Sequence, residues 1–155
     1  MLNIVPATAA KDLEDVRILF GEYSGMVAEA LCLQNFGQEL EALPGQYASP
    51  GGILLIARDE DAAAGCVALR QLDTGTGEMK RMYVREAYRG GGLGRRLALE
   101  VIDAARKRNY RRVVLDTLPK LASAIALYRD LGFREIGPYL ASPTPGAICF
   151  ELRVS

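Results

Sequence analysis

The sequence contains no histidine among its 155 residues. That absence excludes serine–histidine and cysteine–histidine nucleophilic catalysis, and it also excludes histidine zinc sites. Any acid or base that works at neutral pH must then be a carboxylate, a tyrosine, a lysine or a cysteine.

Cysteine is scarce as well. Cys32, Cys66 and Cys149 are an odd number of thiols with no close pair, so the sequence offers neither a Cys-x-x-Cys metal knuckle nor a disulfide framework. We therefore expect no metal cofactor and a protein of the reducing cytoplasm.

Long apolar runs are also missing. The longest apolar runs, such as residues 53–57, are far shorter than the ~20 residues that span a bilayer, and no basic stretch followed by an apolar one marks a secretory signal. We expect no membrane partner. With 50% apolar and 25% charged residues, the chain predicts one soluble domain over residues 1–155.

Charge is balanced overall but not along the chain. Residues 1–79 carry 4 basic and 12 acidic side chains, a net of −8, whereas residues 80–155 carry 15 and 7, a net of +8. A nucleic-acid-binding domain is usually basic throughout, so we expect no nucleic-acid partner. The basic half indicates a bound anion instead.

The hydrophobic pattern predicts helices and strands in a definite order. Two helices follow a short strand, three closely spaced strands form an antiparallel meander, and a helix–strand–helix–strand–strand series completes the chain. The predicted helices cover residues 13–31, 36–43, 93–105 and 121–131, and the predicted strands cover residues 2–7, 53–58, 65–72, 78–85, 113–115, 133–136 and 147–154. This order favours an α/β or α+β sandwich whose sheet mixes antiparallel strands with a parallel crossover.

A glycine-rich loop, Arg89-Gly90-Gly91-Gly92-Leu93-Gly94-Arg95-Arg96, lies between a predicted strand and the most amphipathic predicted helix. Glycines let the backbone approach phosphate oxygens, and first-turn helix amides favour negative charge, so the loop predicts a diphosphate site. A P-loop needs Gly-Lys-Ser/Thr, and the dinucleotide fingerprint needs glycine where Arg95 stands, so a nucleotide-binding regulator is disfavoured. A plain glycine-rich turn with solvated arginines is the alternative.

A longer stretch around this loop carries a family resemblance. Residues 82–94 resemble the acyl-coenzyme A motif Arg/Gln-x-x-Gly-x-Gly/Ala of the GNAT superfamily of N-acetyltransferases, with Arg89, Gly92 and Gly94 at the matching positions. The segment Tyr128-Arg129-Asp130-Leu131-Gly132-Phe133 is similar to a second feature of the family, a tyrosine four residues before Gly-Phe. The resemblance covers roughly residues 53–154 and the N-terminal strand–helix–helix.

The resemblance implies a single-domain GNAT fold, with a mixed, mostly antiparallel sheet of six to seven strands, about four flanking helices and splayed central strands. It implies acetyl-coenzyme A as cosubstrate, with the pantetheine arm between the splayed strands and the diphosphate at the loop. The residues so implied to bind coenzyme A are Met82, Tyr83, Val84, Arg89, Gly90, Gly91, Gly92, Leu93, Gly94 and Arg95. The chain departs from many members at Leu121, where they have asparagine.

Glu78 is the candidate general base. A lysine-like amine of pKa ~10.4 is protonated at neutral pH and must lose a proton before it attacks a thioester. Period-two alternation predicts residues 78, 80, 82 and 84 on one side of their strand. Some GNAT members use as base a glutamate six residues before the matching valine, here Val84. The alternatives are a solvated carboxylate or one neutralised by Lys80.

Tyr128 is the candidate general acid. When an amine displaces the thioester a thiolate leaves, and a tyrosine of pKa ~10 can protonate it. The GNAT resemblance implies that Tyr128 lies beside the coenzyme sulfur. Without that resemblance, a tyrosine on an apolar helical face is more often a core residue.

The sequence therefore favours an N-acetyltransferase that moves an acetyl group from acetyl-coenzyme A to a primary amine of a small molecule or protein, by direct attack in a ternary complex. A non-catalytic acyl-coenzyme A-binding or interaction module is the alternative from another class. A ping-pong route through a cysteine would lack a histidine partner, and the three thiols fall in patterns typical of buried structural residues.

The acceptor amine is expected beside the two N-terminal helices and the loop at residues 137–146, which resembles the acceptor-side loop of the family. Acidic residues of the first half suit a cationic acceptor, and examples are Glu22, Glu29, Glu39 and Glu41. The alternative is that they are solvated helix charges. The sequence leaves open whether the protein forms a homodimer. The strand at residues 147–154 is a candidate edge for pairing between subunits.

Overall fold

A mixed β-sheet forms the centre of the protein. The computed structural model describes residues 1–27 and 36–155. Its strands are β1 (Leu2–Pro6), β2 (Ile53–Asp59), β3 (Ala62–Asp73), β4 (Thr76–Val84), β5 (Arg112–Thr117), β6 (Arg134–Ile136) and β7 (Ile148–Arg153). They form one seven-stranded sheet in the order β1-β2-β3-β4-β5-β7-β6. Only β4 and β5 are parallel, so the expected mixed, mostly antiparallel sheet is confirmed.

Helices cover both faces of this sheet. They are α1 (Ala10–Val27), α2 (Phe36–Ala42), α3 (Leu93–Lys107) and α4 (Ala122–Asp130), with 3-10 turns at Gly45–Tyr47 and Glu86–Tyr88. The helices α1 and α2 pack on one face, around Phe20, and α3 and α4 pack on the other, around Leu97 and Phe150. The predicted end of the first helix, near Leu31, lies outside the described residues. None of the described helices is long and apolar enough to cross a bilayer.

Helix α3 is held against the sheet by its apolar face. Leu93, Leu97 and Val101 recur at four-residue spacing, and each is at most 2% exposed. Arg106 and Lys107 lie in the last turn, where positive charge complements the helix dipole. Because α3 carries the chain from β4 to the parallel strand β5, its N-terminus and the glycine loop before it follow the end of β4.

A β-bulge interrupts β4 at Arg81. Lys80 and Tyr83 are three positions apart, yet their partners on β3 are only two positions apart, so β4 holds one extra residue there. Arg81 has a φ of 60°, in the left-handed region that a non-glycine residue enters at a cost. Beyond the bulge, the side chains of β4 therefore point to the opposite sides from those that strict alternation along the strand predicts.

The expectation that residues 78, 80, 82 and 84 all lie on one side of β4 is therefore wrong. Met79, Met82 and Val84 pack on the α3 side of the sheet, whereas Tyr83 packs on the α1 side. Glu78, the neighbour of Met79, thus lies on the opposite side from Val84 rather than on the same side. No glycine or proline marks the extra residue, so the sequence pattern gave no sign of it.

Strand β7 is not an edge of the sheet. It lies between β5 and β6 and pairs with both, so the outer strands are β1 and β6. The expectation that residues 147–154 offer a free edge to another subunit is wrong, because the chain turns back after β6 and inserts β7 beside β5. Among the described strands, β1 and β6 are the ones that present a free outer edge for pairing between subunits.

Candidate active site

The parallel strands β4 and β5 separate from one another partway along. They pair only where Thr76, Gly77 and Glu78 face β5, although β4 continues to Val84 and β5 to Thr117. Beyond this pairing, the facing N–H and C=O groups of the two strands are not bonded to each other and need another partner. The expected splay of the central strands is confirmed, and it leaves room for an extended ligand with amide groups of its own.

Two cavities join at this splay. A cleft of about 400 Å³ lies between the diverging strands, and a groove of about 480 Å³ extends from it to the glycine loop. Met26, Met82, Leu121 and Ala124 line both of them, so the cleft and the groove adjoin, and we refer to the two together as the channel. An elongated ligand can lie with one end at the glycine loop and the other between the strands.

Most residues predicted to bind coenzyme A line the groove. These are Met82, Tyr83, Val84, Arg89, Gly90, Gly92, Leu93 and Gly94. Gly91 and Arg95, from the same loop, are exposed and do not line it. Leu121, at the position where many GNAT members have asparagine, contributes an apolar side chain to both the groove and the cleft.

The glycine loop forms the far end of the groove. Gly90 and Gly92 have φ of 86° and 84°, left-handed conformations that glycine adopts without strain. Gly92 is the N-cap of α3, and its position provides no side-chain cap for the helix. The amides of the first turn are left for a ligand, and the helix dipole favours an anion there.

The three arginines of the loop have different surroundings. Arg95 forms an ion pair with Asp130, and Arg96 donates a hydrogen bond to the backbone of β1. Arg89 donates from Nε to the Val84 carbonyl at 2.8 Å. Among the described residues, Arg89 is therefore the loop arginine that lines the groove without a carboxylate partner.

The groove also contains polar residues that the sequence pattern did not single out. Lys120 and Ser123, in the segment that leads from β5 into α4, line the same groove as Arg89. Lys120 is exposed and so keeps its charge available to a ligand. Their position after a buried parallel strand was a usable signal, since ligands of α/β sheets bind at the carboxyl ends of the strands.

Tyr128 lines the cleft from α4. Its ring is packed against Phe133 and Phe150, with ring centres 5.7 Å and 6.2 Å away. The side chain is buried, and this burial raises the pKa of the hydroxyl above its ordinary value. Tyr128 therefore presents a protonated phenol to the cleft on a ring that the core holds in place.

Glu78 is the last residue of β4 that pairs with β5, and it is fully buried. Arg70 donates from Nε to one carboxylate oxygen at 2.5 Å, and the Tyr139 hydroxyl donates to the other. Glu78 itself does not line the cleft, although Leu140, next to Tyr139, does. Both oxygens of the candidate base are thus occupied by donors that fix their position.

Lys80 and Asp116 both line the cleft, one from each diverging strand. Burial is the main cause that lowers the pKa of the Lys80 ammonium and raises the pKa of the Asp116 carboxyl. From the sequence, Lys80 was expected to neutralise Glu78 or to belong to the basic stretch at residues 80–96, and no role was predicted for Asp116. The usable signal was the position of Asp116 at the carboxyl end of a buried strand.

Two of the four acidic residues expected to attract a cationic acceptor are held in ion pairs. Glu22 pairs with Arg85 at 2.7 Å, and Glu39 pairs with Arg81 at 3.0 Å. Glu41 is exposed on α2, and the remaining one, Glu29, lies outside the described residues. The opposite charges of the two halves of the chain therefore serve in part to bind the halves together.

The thiols are placed as structural residues. Cys66 and Cys149 are free and buried, and burial raises the pKa of both. Neither lines the cleft, and Cys32 lies outside the described residues. The part of the chain that the structure describes brings no cysteine into the cleft to carry an acyl group.

The chain is similar to known acetyltransferases in sequence. Residues 20–133 match the model of the Acetyltransferase (GNAT) family. A relative from Schizosaccharomyces pombe, an uncharacterized N-acetyltransferase, is 38% identical over 156 residues, covering 99% of this chain and 96% of the relative.

Solved structures share the fold. An acetyltransferase of the GNAT family from Staphylococcus aureus has a TM-score of 0.85 at 22% identity, with 100% of both chains covered. The PaiA N-acetyltransferase of Thermoplasma acidophilum, in complex with coenzyme A, has a TM-score of 0.77 at 15% identity, with 99% of both chains covered. At these identities the likeness is one of fold.

Proposed function

Because this chain belongs to the GNAT family of acetyltransferases, we propose that it transfers an acetyl group from acetyl-coenzyme A to a primary amine of a small molecule or protein. The channel between the glycine loop and the splay carries this proposal, since an elongated thioester lying in it would bring its acetyl end into the cleft. The family match and the N-acetyltransferase relative support an enzyme rather than a non-catalytic coenzyme-binding module.

The residues of the groove fit an acyl-coenzyme A. The first-turn amides of α3, together with Arg89 and Lys120, would hold the diphosphate. The backbone of β4 at Met82 and Val84, on the side that β5 leaves free, would pair with the pantetheine amides as a neighbouring strand does. The hydrogen bond from Arg89 to the Val84 carbonyl ties these two regions together.

We infer that the amine attacks the thioester directly, with Tyr128 as general acid. The acceptor ammonium gives a proton to a base, and the neutral amine forms the N–C bond as the C–S bond breaks. The sulfur takes the proton of the Tyr128 hydroxyl and leaves as a thiol. The nitrogen, now bonded to the acetyl carbon, then gives its surplus proton to the Tyr128 oxygen and restores the hydroxyl. The burial that raises the pKa of Tyr128 would equally destabilise a thiolate at that place, so a proton donor there lowers the barrier.

Glu78 would accept the first proton through Tyr139. Both Glu78 oxygens already accept hydrogen bonds, so an amine proton would reach the carboxylate by way of the Tyr139 hydroxyl. Tyr139 would pass its own proton to Glu78 as it takes the proton of the amine. Arg70 would hold the carboxylate in position while this happens.

The test is an assay of thiol release from acetyl-coenzyme A over a panel of amines, with mass spectrometry of the products. We expect thiol release that depends on the amine and a product heavier by one acetyl group. Initial-rate lines that intersect when both substrates are varied would support a ternary complex, whereas parallel lines would indicate a covalent acyl-enzyme. Coenzyme binding without turnover of any amine would point to the non-catalytic module.

A further inference from the structure

Lys80 and Asp116 occupy matching positions on the two diverging strands. Glu78 and Val114 are the last residues through which β4 and β5 pair, and Lys80 and Asp116 each lie two positions beyond them. Both side chains line the cleft and are partly buried. Because the strands have separated at this point, the two side chains line one cleft, where each charge attracts the other without a direct ion pair.

The neighbouring charges are already neutralised. Arg81 is bound through two nitrogens to the two oxygens of Glu39, and Arg70 is bound to Glu78. Within residues 1–27 and 36–155, Lys80 and Asp116 form no such pair. In the described part of the cleft, Lys80 and Asp116 attract each other electrostatically, but neither charge is held in a direct ion pair.

We propose that Lys80 and Asp116 recognise a free amino acid as the acetyl acceptor, with Lys80 binding its carboxylate and Asp116 its ammonium. This inference rests on the proposed acetyl transfer and names the class of the acceptor. An amino acid carries two opposite charges close together, so a single small molecule supplies a charge-assisted partner to both side chains. The roles are those of recognition, while the proton transfers stay with Glu78, Tyr139 and Tyr128.

Charge complementarity disfavours the other amines. A polyamine or the side chain of a protein lysine would leave Lys80 without a partner and bring further positive charge beside it and Arg81. Burial already makes the charged forms of Lys80 and Asp116 costly, so a partner that brought no compensating anion would add to that cost. The volume of the cleft, about 400 Å³, suits a compact acceptor beside the acetyl end of the donor.

The first test needs only the unaltered protein. Acetylation rates are measured for the standard protein amino acids and, for each, the decarboxylated amine and the amino acid amide. We expect kcat/KM for at least one amino acid to exceed that of its decarboxylated amine and its amide by about 10- to 100-fold, the range expected for one charge-assisted contact. If the decarboxylated amines and the amides have the same kcat/KM as the amino acids, the inference is overturned, while the proposed acetyl transfer is unaffected.

The second test removes each charge in turn. Lys80→Met should raise KM for the preferred amino acid by about 10- to 100-fold, and it should leave KM for the decarboxylated amine unchanged or lower it, so that the preference disappears. Asp116→Asn should raise KM for both, since both carry the ammonium. Lys107→Met, which removes an exposed lysine of α3 that pairs with Asp103, is the matched control and should change neither.

The outcomes separate the two proposals. If Lys80→Met keeps the preference for the carboxylate, Lys80 is not its partner and the inference fails. If Asp116→Asn lowers kcat and shifts the pH profile at unchanged KM, Asp116 is a base rather than a recognition residue, and the inference fails in that part. If no amine of any kind is acetylated although coenzyme A binds, the proposed function fails. If a variant does not fold, the comparison of amino acids with their decarboxylated amines and amides on the unaltered protein decides the question.

Discussion

The Tyr139 hydroxyl donates a hydrogen bond to the carboxylate of Glu78, and this bond joins the loop after β6 to the base of the splay between β4 and β5. Arg70 of β3 binds the other carboxylate oxygen at 2.5 Å. Burial and then the charge of Glu78 raise the pKa of the Tyr139 hydroxyl, which therefore remains a donor at neutral pH. Residues far apart in sequence thus converge on one fully buried carboxylate.

Glu78→Gln should lower kcat by about 100-fold, because the amide cannot take up the proton that the carboxylate accepts. The KM for acetyl-coenzyme A should stay unchanged, since Glu78 lies outside the groove. Tyr139→Phe should cause a comparable loss, and the double variant should lose little more, because both changes cut one relay. Steady-state rates between about pH 6 and pH 9 measure this.

Two outcomes would revise the assignment of the base. Full activity in Tyr139→Phe with a large loss in Glu78→Gln would show that the proton reaches Glu78 without the tyrosine. Near-normal turnover in both variants would leave Glu78 as a structural partner of Arg70.

Tyr128→Phe should lower kcat and leave the melting temperature nearly unchanged. The ring contacts with Phe133 and Phe150 are kept, and only the proton needed as the C–S bond breaks is lost. The deficit should shrink with an acetyl thioester whose thiol has a lower pKa, since that leaving group needs less protonation.

Tyr23→Phe is the matched control for Tyr128, since Tyr23 lines the same cleft from α1. It should retain most of its activity. A larger loss in Tyr23→Phe than in Tyr128→Phe would move the role of the acid to Tyr23. A markedly lower melting temperature with full turnover in Tyr128→Phe would make its hydroxyl a structural group.

Features that depend on residues close together in the sequence could be predicted from the sequence alone. The apolar stripe of α3 and the glycines at positions 90 and 92 have direct physical meaning, a buried helix face and a left-handed turn, and the structure has both. The polar turns between β2, β3 and β4 likewise predicted an antiparallel meander, which the pairing confirms. In each case residues near one another in sequence determine the geometry.

Features that depend on distant partners were not predictable in the same way. The bulge at Arg81 follows from the pairing of β4 with β3, and the inner position of β7 follows from the order in which strands assemble. The ion pairs of Glu22 with Arg85 and of Glu39 with Arg81 join residues that are about 40 to 60 positions apart. A single sequence shows such charges but not which of them will meet.

Gly94→Glu should weaken coenzyme A binding strongly, because it adds a carboxylate to the first turn of α3 in the groove where a diphosphate would lie. Gly94 has ordinary helical backbone, and an added Cβ would lie 3.6 Å from Leu127, an ordinary contact, so the fold should accept a side chain there. Gly94→Gln has the same size without the charge, so the difference between the two isolates electrostatic repulsion. Calorimetry with coenzyme A measures both, and equal affinities in the two variants would contradict a diphosphate at this place.

Asp116→Asn and Lys80→Met should each raise the melting temperature at neutral pH while they impair acceptor binding. Burial raises the pKa of Asp116 and lowers that of Lys80, so at neutral pH each charge makes the folded state less favourable. Removing a charge removes that cost, and for a domain of this size each kcal/mol gained shifts the melting temperature by about 2–4 °C. The increase would mark residues retained for binding rather than for stability.

The pH dependence of these gains has opposite signs for the two residues. The folded state keeps the proton of Asp116 above the pH at which the unfolded chain releases it, so the free energy of unfolding falls as pH rises from about 4 towards the folded pKa. The stabilisation by Asp116→Asn should therefore be absent below about pH 4 and grow above it. For Lys80 the folded pKa is the lower one, so the gain from Lys80→Met is complete below that pKa and disappears as pH rises towards about 10.4. Thermal melts of both variants over this range measure the gains, and a melting temperature lowered by either substitution at neutral pH would identify its residue as a stabilising partner instead.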